Sequence, residues 1–304
     1  MTTSPLAGHR LTKGHGTGND FLLITDPEGS LELSEQTVAA VCDRHTGIGA
    51  DGFIRAVRTE HVEEGDQLLA QEVEAVWFMD YRNADGSVSE MCGNGVRVFV
   101  HYLLEQGLAE LGEQDSLVIG TRAGAKRVAR TPEGYAVDMG PWGFIHGEEA
   151  RESGSDSMVS ARGLRTPRPG LSITMGNPHT VVALASERRL DSLNLHEAPS
   201  VRPAPGSGSN VEFVVPLEGA EDESVGCIAM RVYERGVGET LSCGTGACAA
   251  AAATRFWAGE EAPGEWIIQV PGGTLGATFV LGPEGLEHVV LTGPAELTGR
   301  VTLF

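Results

Sequence analysis

Two cysteines stand in the same local setting, and their surroundings could support proton transfer. Cys92 is followed by Gly-Asn-Gly and Cys243 by Gly-Thr-Gly, and each run opens an apolar stretch that ends at a glycine, Gly107 or Gly259. This pattern predicts a helix that begins directly after each cysteine. Because the first N–H groups of a helix lack intrahelical partners, we expect them to lower each thiol pKa below its usual value of about 8.5.

A pair of such thiols can invert a carbon stereocentre. If an approximate two-fold axis relates them, one thiolate can remove a proton from one face of a bound carbon while the other thiol delivers a proton to the opposite face. The carbanion needs stabilisation as an enediolate, and two helix N-termini directed at one carboxylate supply donors where that charge grows. The pair Cys92 and Cys243 therefore predicts acid and base catalysis on one carbon.

The alternative interpretation of any cysteine is a small buried hydrophobic residue. We apply it to Cys42, Cys227 and Cys248, which lie within helix or strand patterns. It fits Cys92 and Cys243 less well, because both occupy the same position in a repeated pattern. An odd number of cysteines also argues against a disulfide framework.

The elements that must position the two motifs occur twice, in the same order. Each half has a strand, a Gly-Asn turn, a second strand, a helical stretch, a glycine-rich loop leading into a strand, an alternating strand, the cysteine helix and short β-runs. The matching segments are 11–24, 34–44, 47–57, 73–81 and 117–139 in the first half, and 171–184, 186–197, 206–215, 227–233 and 266–291 in the second.

This repeat predicts an α+β fold of two pseudo-symmetric mixed-sheet domains. We expect the first domain to span 1–138 plus 293–304, because 301–304 adds a last strand to it, and the second to span 139–292. The cleft between two such copies is the natural place for a site. Segment 147–170, rich in Gly, Ser, Arg and Pro, is interpreted as loop.

Polar side chains crowd the same loops. They are Asn19, Asn83, Asn94, Asn177, His179, Asn210, Glu234, Arg235 and Glu239. Each one alone is explained by a turn, a helix cap or a surface pair. Their recurrence beside both cysteine loops favours a site that recognises an amino acid through its charged ends.

Composition argues against several other classes of function. A formal net charge of −20 opposes binding to nucleic acid or to an anionic membrane surface. No stretch approaches the roughly 18 apolar residues of a membrane helix, and residues 1–8 lack the features of a secretory signal, so we expect a cytoplasmic protein. Lys13 and Lys126 are the only lysines, which disfavours a pyridoxal Schiff base. No zinc-finger or His-x-x-x-His spacing predicts a metal.

The glycine run 47–52 has the letters of a dinucleotide-binding motif, but its context is wrong for that function. A predicted helix precedes the run and a predicted strand follows it. A pyrophosphate site requires the opposite order, with a strand before the glycine turn and a helix after it. We therefore expect no dinucleotide cofactor.

Several motifs, in order and spacing over nearly the whole chain, resemble the diaminopimelate epimerase family. They are 14–21 (GHGTGNDF), 83–87 (NADGS), 91–97 (MCGNGVR), 176–179 (GNPH), 234–240 (ERGVGET) and 243–246 (CGTG). The resemblance implies interconversion of LL- and meso-diaminopimelate, in lysine and peptidoglycan synthesis, without a cofactor. It also implies a small-molecule substrate and a homodimer.

The resemblance further implies a role for individual residues. Cys92 and Cys243 would be the acid and base pair. The reacting carboxylate would be held by the amides of Gly93, Asn94, Gly244 and Thr245, with Asn19 nearby. The rest of the substrate would be bound by Asn83, Asn177, Asn210 and Arg235, and the thiols would be tuned, or the amino group bound, by His179 and Glu234. The chain departs from the family pattern at Gly52, where many members carry Gln, so this position is left out of the site.

Other functions remain open at this stage. A proline or hydroxyproline racemase would keep both cysteines but would need no grip for a second amino-acid end, and Asn94 favours the epimerase. A phenazine-type isomerase would not need two cysteines. A non-catalytic acidic binding protein would not exchange the α-proton of an amino acid with solvent, which separates it from the enzymes.

Overall fold

The computed structural model describes residues 5–113, 115–217 and 224–304. The chain divides into two compact units, Met1–Val137 with Gly293–Phe304, and Asp138–Thr292. The predicted domains, 1–138 with 293–304 and 139–292, place the boundary one residue later. Residues 1–4, 114 and 218–223 belong to the predicted domains but lie outside the described residues. The first four positions of the 1–8 stretch, where no secretory signal was expected, are among them.

The described residues form a succession of strands with few helices. The strands are β1 (Arg10–Gly16), β2 (Asn19–Thr25), β3 (Gly52–Arg58), β4 (Trp77–Asn83), β5 (Ser116–Thr121), β6 (Gly124–Thr131), β7 (Gly134–Pro141), β8 (Gly143–Phe144), β9 (Ser157–Ser160), β10 (Arg168–Thr174), β11 (Pro178–Ala183), β12 (Ser200–Arg202), β13 (Asn210–Pro216), β14 (Val225–Glu234), β15 (Gly238–Thr240), β16 (Glu265–Val270), β17 (Gly273–Leu281), β18 (Glu287–Gly293) and β19 (Glu296–Thr302). The helices are α1 (Glu35–Cys42), α2 (Gly65–Gln71), α3 (Gly93–Glu105), α4 (Gly147–Ser153), α5 (Glu187–Asp191) and α6 (Gly244–Ala258), with a 3-10 helix at Thr59–His61.

Each unit contains a mixed sheet, and the two sheets repeat one pattern of strand directions. In the first unit the order is β19-β1-β2-β3-β4-β5-β6-β7. In the second it is β8-β10-β11-β13-β14-β16-β17-β18. Both run antiparallel, antiparallel, parallel, antiparallel, parallel, antiparallel, antiparallel from neighbour to neighbour. The predicted α+β fold of two mixed-sheet halves is confirmed.

One long helix occupies the centre of each unit. Helix α3 contacts β1 to β5 and β19, and helix α6 contacts β10, β11, β13, β14, β16 and β17. Most residues of both helices are buried, as expected for a helix that is apolar on nearly every side. Both helices therefore have their N-termini fixed by the surrounding strands.

The two parallel pairs beside these helices are in equivalent register. Phe21 on β2 lies opposite Gly52 on β3, and His179 on β11 lies opposite Asn210 on β13. His179 is therefore the structural counterpart of Phe21 in the repeat.

Two local predictions were wrong, and one short helix had not been predicted. The helix expected over 186–197 is limited to α5, Glu187–Asp191, and α2 lies where no helix was predicted. Segment 147–170, expected to be loop, contains α4, β9 and the start of β10. Strand β9 pairs with both β10 and β12. No helix in the described part of the chain is long and apolar enough to cross a membrane.

Candidate active site

The first group of predicted site residues lies at the N-terminus of α3. Cys92 is the N-cap residue in extended conformation, and Gly93 and Asn94 are the first two helical residues, so their backbone N–H groups have no intrahelical acceptor. The Cys92 thiol donates to Asn19 Oδ1 at 3.5 Å, and Asn94 Nδ2 donates to the same oxygen at 3.2 Å. Cys92, Gly93, Asn94 and Asn19 are therefore brought together, and we call them the Cys92 cluster.

A network of charged side chains holds the amide group of Asn19 in place. Asn19 Nδ2 donates to Asp51 Oδ2 at 3.0 Å, and Arg44 lies 2.7 Å from both Asp20 and Asp51. Burial acts to raise the pKa of Asp20, but hydrogen bonds from Arg44 and Lys13 outweigh it and lower the pKa to about 2. Asp20 is therefore ionised at neutral pH, and the network ties together the strand ends that carry Asn19.

Arg97 supports the Cys92 cluster from inside the helix, and no sequence pattern singled it out. Its side chain is fully buried, its Nη2 donates to Asn94 Oδ1 at 3.0 Å, and its Nε donates to the Pro294 carbonyl at 3.4 Å. The Asn94 amide is thus held with its oxygen toward Arg97 and its nitrogen toward Asn19. An arginine within the apolar run Val96–Val100 of the helix was the signal that could have indicated this role.

Asn83 is engaged in a turn at the end of β4. Its Nδ2 donates to Ser87 Oγ at 3.0 Å, and its Oδ1 accepts from the Tyr81 hydroxyl at 3.2 Å. The same tyrosine accounts for Gly52, since a Cβ at Gly52 would lie 2.6 Å from Tyr81 Cε2. The Tyr81 ring therefore occupies the space that a side chain at position 52 would require.

The second group of predicted residues lies at the N-terminus of α6. Cys243 is the N-cap, and its Sγ accepts from the Gly246 N–H at 3.4 Å. Thr245 Oγ1 is 3.6 Å from the same sulfur and accepts from Asn177 Nδ2 at 3.4 Å. Gly244 and Thr245 are the first two helical residues, as Gly93 and Asn94 are in α3.

His179 extends this group into the core through two hydrogen bonds. Its Nε2 lies 3.0 Å from Asn177 Oδ1, and its Nδ1 lies 2.7 Å from Glu212 Oε1. His179 and Glu212 are both fully buried. We call Cys243, Thr245, Asn177, His179 and Glu212 the Cys243 cluster.

The expected lowering of the Cys243 pKa is wrong. Burial raises its pKa well above the usual range, and the carboxyl groups of Glu234 and Glu212 raise it further, while the contacts with Thr245 and the Gly246 N–H lower it only in part. A helix N-terminus typically contributes about 0.3 to 1 kcal/mol, which burial beside two carboxyl groups exceeds. Cys243 is therefore a protonated thiol at neutral pH.

Glu234 is placed beside Cys243 by the end of β14. Burial raises the pKa of Glu234, and the hydrogen bond that Thr240 donates to its Oε1 at 2.5 Å opposes the rise. The Glu212 pKa is likewise raised by burial, against the opposing effect of His179. Both carboxyl groups thus accept a proton more readily than an exposed glutamate does.

Asn210 and Arg235 are joined through the backbone. The Arg235 N–H donates to Asn210 Oδ1 at 2.9 Å, and the exposed Arg235 side chain donates to the Ser207 carbonyl at 2.5 Å. Glu239, which the sequence also suggested, forms an ion pair with Arg231 at 2.7 Å. The Arg235 guanidinium therefore remains accessible to a solute, whereas Glu239 is engaged within the sheet.

The remaining cysteines lie in the packed interior or on a strand. Cys42 and Cys248 are buried, and burial raises the pKa of Cys42 to about 12. Cys227 is half-buried on β14. Among the described residues, no group of three or more His, Cys, Asp or Glu side chains could hold a metal ion.

Solved structures define the class of fold. A phenazine biosynthesis protein of the PhzF family from Bacillus anthracis superposes with a TM-score of 0.66 at 15% identity, over 97% of this chain and 99% of that one. A hydroxyproline epimerase from Agrobacterium vitis superposes with a TM-score of 0.59 at 15% identity, over 96% and 91%. The chain thus has the two-unit α+β fold of this structural class, with a cysteine as the N-cap of each central helix.

Sequence comparison identifies the family within that class. The diaminopimelate epimerase family model matches residues 11–145 and 171–298. A diaminopimelate epimerase from Thermobifida fusca is 46% identical over 296 residues, which are 96% of each chain, and one from Streptomyces coelicolor is 44% identical over 95% of this chain and 93% of that one. The chain belongs to the diaminopimelate epimerase family. Residues 146–170, with α4 and β9, lie between the two matched segments.

Proposed function

We propose that the protein interconverts LL- and meso-diaminopimelate by inverting one α-carbon, without a cofactor, with Cys92 and Cys243 as the acid and base pair. The observation that supports this most is the placement of a thiol at the N-cap of each of two equivalent central helices in a member of this family. Each thiol lies next to backbone N–H groups that could hold a carboxylate.

The two thiols would carry out the inversion as follows. In one direction the Cys92 thiolate takes the α-proton from one face, and the Cys243 thiol gives its proton to the opposite face of the carbanion, leaving a Cys92 thiol and a Cys243 thiolate. The raised pKa of Cys243 supports this order, because it favours the form of that group that donates a proton. The reverse reaction exchanges the two roles.

The helix N-termini would hold the reacting carboxylate. The backbone N–H groups of Gly93 and Asn94, and of Gly244 and Thr245, belong to the first turns of α3 and α6 and would donate to the oxygens on which negative charge grows in the enediolate. Asn19, fixed by Asp51, would add a side-chain donor or acceptor beside Cys92.

The remaining predicted residues would bind the substrate or adjust the proton affinity of the thiols. Asn83, Asn177, Asn210 and Arg235 would contact the substrate, with the accessible Arg235 guanidinium as the partner of the distal carboxylate. Glu234, which raises the Cys243 pKa, would adjust the proton affinity of that thiol, and His179 would act on it through Glu234, whose pKa His179 lowers. We further propose that the two units are the N- and C-terminal epimerase domains and that the enzyme acts as a cytoplasmic homodimer.

A solvent-exchange assay tests the proposal directly. Deuterium from D₂O should enter the α-position of LL-diaminopimelate and of meso-diaminopimelate formed from it, and not that of proline supplied in parallel. Exchange into proline alone would replace the proposed function with that of a racemase. No exchange into either substrate would refute an epimerase.

Cysteine variants test the mechanism. Cys92→Ser and Cys243→Ser should each lower epimerisation by about 10²- to 10⁴-fold, because a hydroxyl is far harder to ionise than a thiol. Cys227→Ser, on a strand in the second unit, is the matched control and should retain normal activity. Near-normal turnover in either of the first two variants would exclude the two-thiol mechanism.

A further inference from the structure

The side chains that face the third residue of the central helix, Gly95 in α3 and Gly246 in α6, differ in polarity between the two units. In the first unit they are apolar: a Cβ added to Gly95 would lie 3.5 Å from Ile54 Cδ1 and 3.6 Å from Phe21 Cε1. In the second unit, Gly246 occupies the same helix position, and a Cβ there would lie 2.7 Å from Glu212 Oε1.

The strand register shows that these neighbours are equivalent. Ile54 lies two residues beyond the strand position opposite Phe21, and Glu212 lies two residues beyond the position opposite His179. One unit therefore has Phe21 and Ile54 where the other has His179 and Glu212. The fold itself does not require a polar pair at this place, since the first unit fills it with two apolar side chains.

The polar pair is costly to bury. Glu212 and His179 are both fully buried, and Glu212 Oε2 has no hydrogen-bond partner among the described residues. A buried polar group without a partner destabilises the folded state, whereas an apolar pair of similar shape avoids that penalty. Glu212 has one hydrogen-bonded and one unpaired carboxyl oxygen where the first unit has Ile54, and such a costly replacement indicates a functional role.

The hydrogen bonds indicate what the carboxyl group does. The Asn177 amide nitrogen faces Thr245 Oγ1, so its Oδ1 faces His179 Nε2 and accepts from it. With the Asn177 amide in this orientation, the Nε2 atom of His179 carries a hydrogen. The nitrogen that remains, Nδ1, faces Glu212 at 2.7 Å, where it accepts from a protonated carboxyl group or donates to an ionised one, and Nε2 keeps its hydrogen in both cases. The hydrogen bond made by one imidazole nitrogen sets the protonation of the other.

We propose that Glu212 is a positioning residue, which holds the His179 ring with its Nε2–H directed at Asn177 and thereby fixes Asn177 and Thr245 beside Cys243. The link to turnover rests on the proposed catalytic role of Cys243. The orientation of His179 does not depend on that role. Glu212 is hydrogen-bonded to the cluster through His179 and otherwise acts on the sulfur only by its charge, so it is not itself in contact with the reacting atoms.

Two single variants separate orientation from simple packing. Glu212→Gln keeps the shape and offers an amide N–H to His179 Nδ1, so Nε2 should stay protonated and kcat should stay within about threefold of wild type. Glu212→Ile inserts the residue of the first unit and gives Nδ1 no partner. It should lower kcat by about 10- to 100-fold with little change in KM.

The nitrogen chemical shifts of His179 provide a readout independent of activity. In protein with ¹⁵N-labelled histidine, with the His179 signals identified by their loss in His179→Phe, wild type and Glu212→Gln should show a fully protonated Nε2. Glu212→Ile should show a mixture of both tautomers. The double variant His179→Phe, Glu212→Ile, which copies the apolar pair of the first unit, should fold and provides the folded reference of low activity.

Three results would overturn the inference. They are an unchanged tautomer in Glu212→Ile, a kcat for folded Glu212→Ile within about threefold of wild type, and an Nδ1-protonated ring in Glu212→Gln. If Glu212→Ile does not fold, the Glu212→Gln spectrum and kcat decide the question. Failure of wild type to exchange the α-proton would instead refute the proposed function, and the tautomer result would still test the role of Glu212.

Discussion

The third residues of the two central helices, Gly95 and Gly246, should respond oppositely to the same substitution. Both are helical and neither has a positive φ, so alanine is compatible with the backbone at each position. At Gly95 the nearest atoms to the new methyl group would be 3.4 to 3.6 Å away, which is ordinary van der Waals contact. At Gly246 the methyl group would lie 2.7 Å from Glu212 Oε1 and 3.2 Å from Cys243 Sγ.

The magnitude follows from two opposing effects. Alanine in place of glycine in a helix contributes up to about 1 kcal/mol of stability. A methyl group forced into a packed interior typically costs about 1 to 3 kcal/mol. Because Glu212 is fully buried and cannot swing aside, the second effect prevails at Gly246. We expect Gly95→Ala to be neutral or stabilised by up to about 1 kcal/mol, and Gly246→Ala to be destabilised by about 1 to 2 kcal/mol.

Differential scanning calorimetry provides the comparison. For units of this size about 1 kcal/mol shifts Tm by roughly 2 to 4 °C, so the two variants, which differ by about 1 to 3 kcal/mol, should differ in Tm by about 2 to 12 °C. Equal Tm values would refute the view that the Glu212 carboxyl group fills the space beside Gly246. A Gly246→Ala variant more stable than Gly95→Ala would show in addition that the α6 N-terminus is loosely packed.

Two further predictions concern charged side chains. The hydrogen bond to Glu284 raises the pKa of His288, with Asp138 adding to it and burial opposing it, so the stability that His288 contributes is full below about pH 6.5 and is lost as the pH rises through the folded-state value. His288→Gln should therefore lower Tm more at about pH 5.5 than at about pH 9, and an equal loss at both would contradict the assignment. Arg235→Lys should impair turnover of diaminopimelate and hardly affect exchange of a short amino acid without a distal carboxylate, because lysine lacks the planar two-point fork. Equal losses for both substrates would show that Arg235 does not bind that carboxylate.

Much of the fold could be predicted because the repeat was visible in the sequence. The helices α3 and α6 begin at their cysteines, and the Gly-Asn turns lie between paired strands, since glycine loops and apolar runs are local signals. The helix α4 was missed although its signals were present. Two glutamates lie in its first turn and Gly154, with φ 68°, ends it. Its mixture of Gly, Ser and Arg resembled a loop, and its single buried residue, Ala150, gave no periodicity.

The motifs of the candidate site could be predicted from the sequence, but the burial and the charges around each side chain could not. Asn19 meets Cys92, and Asn177 and His179 meet the Cys243 helix, as motif proximity suggested. Glu212 was not foreseen, because a glutamate within a strand is usually solvent-exposed and burial depends on packing against a distant helix. The direction of the Cys243 pKa was wrong for the same reason, since it is set by burial and by carboxyl groups from other strands.

The difference between the two clusters has a consequence for catalysis by a thiol pair. In the proposed mechanism, inversion requires one thiol and one thiolate at the same time. Two independent thiols of identical pKa would reach that mixed state in at most about half of the molecules, at a pH equal to their pKa, and in fewer at any other pH. Two units with identical surroundings at their cysteines would give identical thiol pKa values, and the mixed state would then be limited to that fraction. Here the buried guanidinium of Arg97 stands behind Asn94 in one unit, while Glu212 and Glu234 stand beside Cys243 in the other. The unequal surroundings favour the molecules in which Cys243 holds its proton, so polar substitutions in one copy of a symmetric fold can populate the mixed state that the chemistry needs.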